Sequence, residues 1–402
     1  MADKMRVPFG TLTVTDNAKR LIGNALETTR LTSGAYVREL EERFAELVGV
    51  AEAVAVSTGA DADALALAAL YDFGAERGDE VIVPALSFVA TGNAVLQAGF
   101  TPVFVDVDRS TLNIDPDLIE VAVTERTRAI MPVHLMGKPA AMDAVHATAG
   151  KHGLRVVEDA AEAHGAEYRG KRAGALGDAG AFSLYAAHIV SSVEGGMVTT
   201  DDAELARVVR SLRAHGRACA CRECKLSTAQ EFCPNRFEQG EDTRFRFDRV
   251  GFSAKMNELE AAVGLGNLAL FDEILAKRRA NLLRVLDRFD RFGPYLATIH
   301  EDPHERIGPH AVPIVVGEEA TFTRDDLTQW LESRGVETRT LFASMPTQCR
   351  GFEYLGHRLG QFPQAEYIGA HGLHFGIHQG VGIDEMDYVL ECLARFLEKR
   401  QG

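Results

Sequence analysis

The segment 182–202, FSLYAAHIVSSVEGGMVTTDD, sets Ser183 and His188 between two apolar runs. An imidazole takes and returns a proton near neutral pH, and a serine hydroxyl can serve a phosphate. Upstream, STGADADAL (57–65) closes an apolar run in a glycine turn and opens a helical one. Exposed N–H groups and the positive end of a helix dipole suit such a turn to a phosphate. Gly59, Ala60 and Asp61 are the candidates, Asp61 through its backbone with its carboxylate turned away; an ordinary strand-to-helix turn reads the same. Asp159, in VVEDAAEAHGA, ends an apolar strand on the edge where open α/β sheets bind ligands. It either holds the protonated ring nitrogen of a heteroaromatic cofactor, improving it as an electron sink, or caps a helix. Phe88, in PALSFVAT, either stacks on a planar group or joins the core.

Four of the six cysteines, Cys219, Cys221, Cys224 and Cys233, crowd into HGRACACRECKLSTAQEFCPNRF. In a reducing compartment such crowding reads as a metal or redox site before it reads as disulfides. Iron-sulfur, zinc and free thiols all remain compatible with the spacing. Cys349 and Cys392 read as core thiols.

The elements that must position these residues alternate. EAVAVST, DEVIVPA, TPVFVDVD, RAIMPVHL and RVVEDAA are short runs of strand character, each followed by a helical stretch except the last. Strands apolar throughout predict a mostly parallel sheet covered on both faces. AGAFSLY and GGMVTT form a further hairpin-like pair, and AELARVVRSLRA a helix. A poorly periodic stretch runs from 215 to about 250, and ELEAAVGLGNLALFDEILAKRRANLLRVLDRF reads as one long helix interrupted by glycines. The expected architecture is an α/β protein. Residues 1–265 form a helical arm and a large sheet domain with the cysteine-rich insertion; residues 266–402 form a linking helix and a small α+β domain.

Composition narrows the function classes. The chain is 46% hydrophobic and 25% charged, with 58 acidic against 43 basic residues and a net charge of −15. That charge argues against nonspecific binding to nucleic acid or to an anionic membrane. No run approaches the ~18 apolar residues of a membrane span, and MADKMRVPFGTLTVTD lacks the apolar stretch of a signal peptide. A cytoplasmic protein whose partner is a small molecule or another protein is expected.

Taken in order, glycine turn, strand-end aromatic, strand-end Asp, then Ser and a basic residue before Glu-Gly-Gly, the chain resembles the fold-type I pyridoxal-phosphate enzymes, which are aspartate aminotransferase-like. More narrowly, GDEVIVPALSFVATGNAVLQAGFTPVFVDVD, PVHLMGKPAAMDAV, VVEDAAEAHGA and EGGMVTTDD resemble the DegT/DnrJ/EryC1/StrS family, which acts on nucleotide-linked keto sugars. The resemblance covers essentially the whole chain and adds Glu162 to the cofactor-side candidates. Aminotransferases of that family carry a lysine at the position of His188, whereas this chain has none between Lys171 and Lys225. Imidazole forms no stable aldimine, so the cofactor is expected non-covalently, as pyridoxamine 5′-phosphate or pyridoxal 5′-phosphate. A His-for-Lys exchange marks the sugar 3-dehydratase branch, whose substrates are GDP- or CDP-linked 4-keto-6-deoxy sugars.

The resemblance implies further roles. Ser253 stands where the family has an asparagine reaching the phosphate of the partner subunit in a shared-site homodimer. His215, in RAHG, and His378 with Gln379, in LHFGIHQG, fall on the substrate side, or are ordinary surface and packing residues. Cys219, Cys221 and Cys233 match three ligands of an iron-sulfur cluster in one dehydrase branch, which works with an electron-donating reductase. The fourth ligand position is Ala161 here, and Cys224 is the candidate replacement. Two rivals stay open: an aminotransferase for a sugar or aminocyclitol, and a noncatalytic cofactor- or sugar-binding protein.

Overall fold

The computed structural model describes residues 5–226, 231–238 and 240–401. Runs of alternating strand and helix character build a seven-stranded sheet from β1 (Glu52–Val56), β2 (Glu80–Pro84), β3 (Thr101–Val105), β4 (Thr127–Ile130) and β5 (Arg155–Asp159), and from two later strands. A short hairpin of β6 (Glu167–Tyr168) and β7 (Lys171–Arg172) precedes those two, β8 (Ala179–Ser183) and β9 (Gly196–Thr200). The order is β1-β9-β8-β5-β4-β2-β3. Only β9 runs against its neighbours. The strands are buried nearly end to end, as expected for a sheet with helices on both faces. Parallel β2, β4, β5 and β8 bring their C-terminal ends to one edge, where Asp159 and Ser183 lie.

The cysteine-rich stretch contains a small hairpin, β10 (Phe237–Glu238) and β11 (Glu241–Asp242). A second, antiparallel sheet is built from β12 (Leu296–Ala297), β14 (Ala311–Val316), β15 (Thr338–Thr340) and β16 (Gly372–Gly376), in the order β12-β14-β16-β15. β13 (Glu305–Arg306) instead pairs with β6, forming with the β6–β7 hairpin a separate three-stranded sheet. The chain start joins the second sheet too: Val7 bridges Val336, and the Phe9 N–H donates to Glu337 Oε2 at 2.8 Å. A side chain at Gly376 would collide with the Phe9 carbonyl.

The N-terminal arm is two helices, Asp16–Thr28 and Ala35–Val48. Buried Glu258 caps the second, accepting from the N–H groups of Gly34, Tyr36 and Val37 at 2.9–3.0 Å. The long helix expected from 258 onward is two helices, Glu258–Leu268 and Phe271–Phe289. Gly264 and Gly266 do not interrupt the first of them. They let the arm approach closely, for a side chain there would press on Leu40 or on Thr15 and Ala18. Among the described residues no helix is long and apolar enough to cross a membrane.

Candidate active site

Asp159 is buried at the end of β5. One carboxylate oxygen accepts from Thr91 Oγ1 at 2.7 Å, and the other from the Ala161 N–H at 3.2 Å. No helix follows, so Asp159 closes a tight turn and is not a helix cap. Burial raises its pKa, while the Thr91 and Ala161 hydrogen bonds pull it back toward the charged form. Asp63 is buried nearby with one oxygen lacking a partner; burial and the Asp159 charge hold its pKa well above the usual range.

The glycine turn at 57–61 opens the helix Gly59–Ala68. Thr58 caps it, accepting from the Asp61 N–H at 3.1 Å. The Asp61 carboxylate accepts from the hydroxyls of Ser57 (2.6 Å) and Thr58 (2.9 Å). That ties the negative charge back and leaves the first-turn N–H groups of Gly59 and Ala60 without i−4 acceptors inside the helix. Gly59 lies against Ser183 so closely that a Cβ would collide with the serine Cβ. The glycine therefore brings the Ser183 side chain to the turn. Phe88, 57% exposed, flanks the same edge and does not join the core.

His188 sits in the connection between β8 and β9, whose ends are fixed by the Ser183–Gly196 pairing. Its carbonyl accepts from Ser191 Oγ at 2.7 Å and from Arg278 Nη2 at 3.2 Å. Its Nδ1 is buried without a partner. The ring lies parallel to His164 at 5.8 Å and 5.1 Å from His310, centroid to centroid. His164 accepts from the Val190 N–H at Nδ1 and so donates from Nε2 to the Ser183 carbonyl (2.9 Å). Burial first, then His164 and Arg278, holds the His188 pKa well below the ordinary histidine value. At neutral pH the imidazole is uncharged and able to accept a proton.

Glu162 accepts from the Met136 N–H at 2.7 Å, and its other oxygen lies 3.5 Å from His310 Nε2. Burial pushes its pKa up to about 8.

The remaining sequence candidates fall elsewhere or hold other partners. Ser253 and His215 are exposed neighbours, joined through the Ala214–Ser253 bridge and the His215 N–H to the Phe252 carbonyl (2.7 Å). His378 is buried with both ring nitrogens engaged: Nδ1 accepts from the Gly380 N–H and Nε2 donates to the Pro8 carbonyl. In the single chain both ring nitrogens are thus spent on main chain. Gln379 likewise turns inward, accepting from Arg278 Nε at 3.1 Å.

The cysteines also depart from expectation. Cys219 and Cys221 have sulfurs 3.8 Å apart, but among the described residues no three potential ligands gather where they could hold a metal ion. Residues 227–230, between Cys224 and Cys233, lie outside the described residues. Burial and the other three cysteines push the Cys221 thiol up to about 11. As placed, the described donors do not gather three to a point, so they do not fit an iron-sulfur or zinc site.

Sequence reasoning missed Arg278, His164, His310 and Thr91. His164 lies inside VVEDAAEAHGA and Thr91 just after Phe88, so proximity to singled-out residues was their only signal. Arg278 looked like one more charge on an amphipathic helix, although its side chain is buried.

Comparisons with known proteins give the family and the fold. The sequence pattern of the DegT/DnrJ/EryC1/StrS aminotransferase family matches residues 13–394. The chain is 36% identical to dTDP-4-dehydro-2,6-dideoxy-D-glucose 3-dehydratase of Saccharopolyspora spinosa, over 98% of this chain and 86% of that protein. It is 36% identical to GDP-perosamine synthase of Caulobacter vibrioides, over 99% and 100%. GDP-4-keto-6-deoxy-D-mannose 3-dehydratase of Escherichia coli O55:H7 is 32% identical over 96% and 99%. A solved structure of the E. coli 3-dehydratase with bound hydrated PLP superposes with a TM-score of 0.86 at 30% identity, covering 97% of this chain and 100% of that one. The fold is that of the fold-type I transferases, and the chain belongs to the DegT/DnrJ/EryC1/StrS aminotransferase family.

Proposed function

We propose that the protein is a pyridoxamine- or pyridoxal-phosphate-dependent 3-dehydratase of a nucleotide-linked 4-keto-6-deoxy sugar, acting in cytoplasmic deoxysugar biosynthesis. The observation that carries this reading is His188: a neutral imidazole stands in the β8–β9 connection, beside an otherwise complete cofactor cradle, with no lysine between Lys171 and Lys225. The residues present fit the cofactor. The Gly59 and Ala60 N–H groups and the Ser183 hydroxyl would hold the phosphate, Asp159 the ring nitrogen and Phe88 one ring face. When bound, the cofactor supplies an amine for the C4 ketone and an electron sink. Asp159, buried and oriented by Thr91, keeps a proton at the ring nitrogen. His188 takes the proton whose removal precedes loss of the C3 hydroxyl, then has a proton to give to the departing oxygen. No step runs through Cys219, Cys221, Cys224 or Cys233.

We further read exposed Ser253 and His215 as facing the cofactor and substrate of a partner subunit in a homodimer. Their exposure in the single chain and the Ser253 position in the family motif support this.

The test is product analysis. Protein supplied with cofactor, glutamate and GDP- or dTDP-linked 4-keto-6-deoxy sugar should yield a sugar with a methylene at C3, seen by NMR. His188→Asn should abolish it. A C4 amino sugar that keeps its C3 hydroxyl would establish the aminotransferase reading instead, to which the perosamine synthase relative points.

A further inference from the structure

His188 packs against two other imidazoles, and only one of them is itself held by hydrogen bonds. Its ring lies parallel to that of His164 at 5.8 Å, and 5.1 Å from that of His310 at 36°. The His164 ring is pinned at both nitrogens, by the Val190 N–H and the Ser183 carbonyl, and Phe182 meets it edge-on at 5.2 Å. The His310 ring has no such anchor among the described residues. Its Nδ1 is buried without a partner, and its Nε2 stands 3.5 Å from Glu162 Oε1 without making a hydrogen bond. Packing alone must fix it. The next ring in the row comes from the start of the chain: Phe9 meets His310 edge-on (6.4 Å, 65°) and His374, in β16, edge-on (5.1 Å, 77°). Phe9 is buried and firmly placed. Its N–H donates to Glu337 Oε2 at 2.8 Å, its carbonyl fills the space a side chain at Gly376 would need, and the Arg339 guanidinium lies 3.7 Å over its ring. The Val7–Val336 bridge and the Pro8 carbonyl, accepting from His378 Nε2 at 3.1 Å, tie down the residues before it. Beyond His374, Phe342 stands 5.9 Å away and Phe88 a further 5.6 Å, so one row of rings joins the cofactor-side aromatic to the proposed base.

We propose that Phe9 is a positioning residue for the dehydration: delivered by the first segment of the chain, it backs the His310 ring and through it fixes the plane of His188. This rests on the reading of His188 as the proton-transfer group and deepens it. His188 Nδ1 is buried, which leaves Nε2 to exchange the proton, and a ring free to rock turns that nitrogen away from the reacting carbon. A base displaced by about 1 Å can lose as much as ~100-fold in rate, although nothing that binds the substrate has changed. A side chain that only filled the core would stabilise the fold and leave the rate of the folded enzyme alone.

Substitutions in the first segment separate the two roles. Phe9→Ala removes the ring, Phe9→Leu keeps apolar bulk without the flat face, and Val7→Ala trims the same segment at its Val336 bridge, outside the row. Per folded molecule, kcat for dehydration should fall about tenfold in Phe9→Ala and less in Phe9→Leu, with KM for the nucleotide sugar within about twofold of wild type, while Val7→Ala keeps the wild-type kcat. Urea unfolding in assay buffer gives the folded fraction, and Phe9→Leu carries the same comparison if Phe9→Ala does not fold. NMR of the full-length protein, isotope-labelled at histidine Cε1, reads the ring directly. The His188 signal, assigned by its loss in His188→Asn, should be one narrow line in wild type and Val7→Ala, and should shift or broaden in the Phe9 variants. Phe9 variants with wild-type kcat, a loss no greater than that of Val7→Ala, or an unmoved His188 signal overturns the proposal. The base assignment fails separately: a His188→Asn enzyme that still removed the C3 hydroxyl would sink that reading, while the dependence of the His188 signal on Phe9 would stand.

Discussion

Arg278 reaches the backbone of His188 without meeting a carboxylate among the described residues. Its guanidinium is buried and spends its donors on the carbonyls of Ala187, His188, Pro309 and His310 and on Gln379. Burial brings its pKa down to about 10, so it stays charged at neutral pH. Arg278→Met removes a strut that joins the histidine loop to the second sheet and leaves buried carbonyls unpaired. A loss of about 2–4 kcal/mol is expected from urea unfolding, typical for breaking a buried polar network. Arg278→Lys keeps the charge but not the fork, and should recover only part of it.

Gly59 and Gly196 flank the turn proposed to hold the phosphate, under different constraints. A Cβ at Gly59 meets the side chain and Cα of Ser183, whereas one at Gly196 meets the Thr58 carbonyl and the Gly59 N. Gly59→Ala should displace Ser183 and weaken pyridoxal phosphate binding about tenfold or more, as loss of one charge-assisted hydrogen bond would. Fluorescence titration of the apoprotein measures it. Gly196→Ala must move backbone and should lower the melting temperature as well.

Acid should unfold the apoprotein early. Burial lowers the pKa of His164 and His378 to about 4 and of His374 to about 3. The unfolded chain takes up protons near pH 6.5 that the folded one refuses. The stability these groups give is complete above pH 6.5 and is lost as pH falls from there toward 3–4, at about 1.4 kcal/mol per pH unit for each. Glu162, raised to about 8, works the opposite way: it favours the folded state as pH falls from 8 toward its unfolded value near 4.3. Urea midpoints at pH 7 and pH 5.5 should differ less in His374→Gln than in wild type.

Cys221 should be a slow thiol. With its pKa near 11, alkylation followed by peptide mass spectrometry should rise about tenfold per pH unit from neutrality. Cys219→Ser removes the neighbour that both repels the thiolate and hydrogen-bonds to the thiol, and should speed alkylation of Cys221 at pH 8.

Much of the large sheet was legible because its strands are apolar end to end and each ends in a turn. The β8–β9 pair was legible from its Glu-Gly-Gly. Asp159, Phe88, Ser183 and His188 could be named because strand ends and glycine turns mark a sheet edge in the sequence itself. Arg278 and His310 could not, since they come from the second sheet and its linking helix, and their burial is decided by packing between segments about 100 residues from the cradle. The partners of His378 were hidden for the same reason: its ring nitrogens engage Gly380 and Pro8, the latter at the far end of the chain. The glycines of the Glu258–Leu268 helix signalled close packing, which a one-dimensional pattern does not distinguish from a break.

The loop that carries His188 is framed by main chain on every side. Ser183 pairs with Gly196, the Leu184 N–H reaches the Gly195 carbonyl, the Ser192 N–H reaches Leu184, and Arg278 grips the carbonyls of residues 187 and 188. None of these contacts consults the side chain at position 188. The frame fixes an address, and the residue occupying it chooses the chemistry, so exchanging lysine for histidine can turn one reaction into another while the scaffold around it stays unaltered.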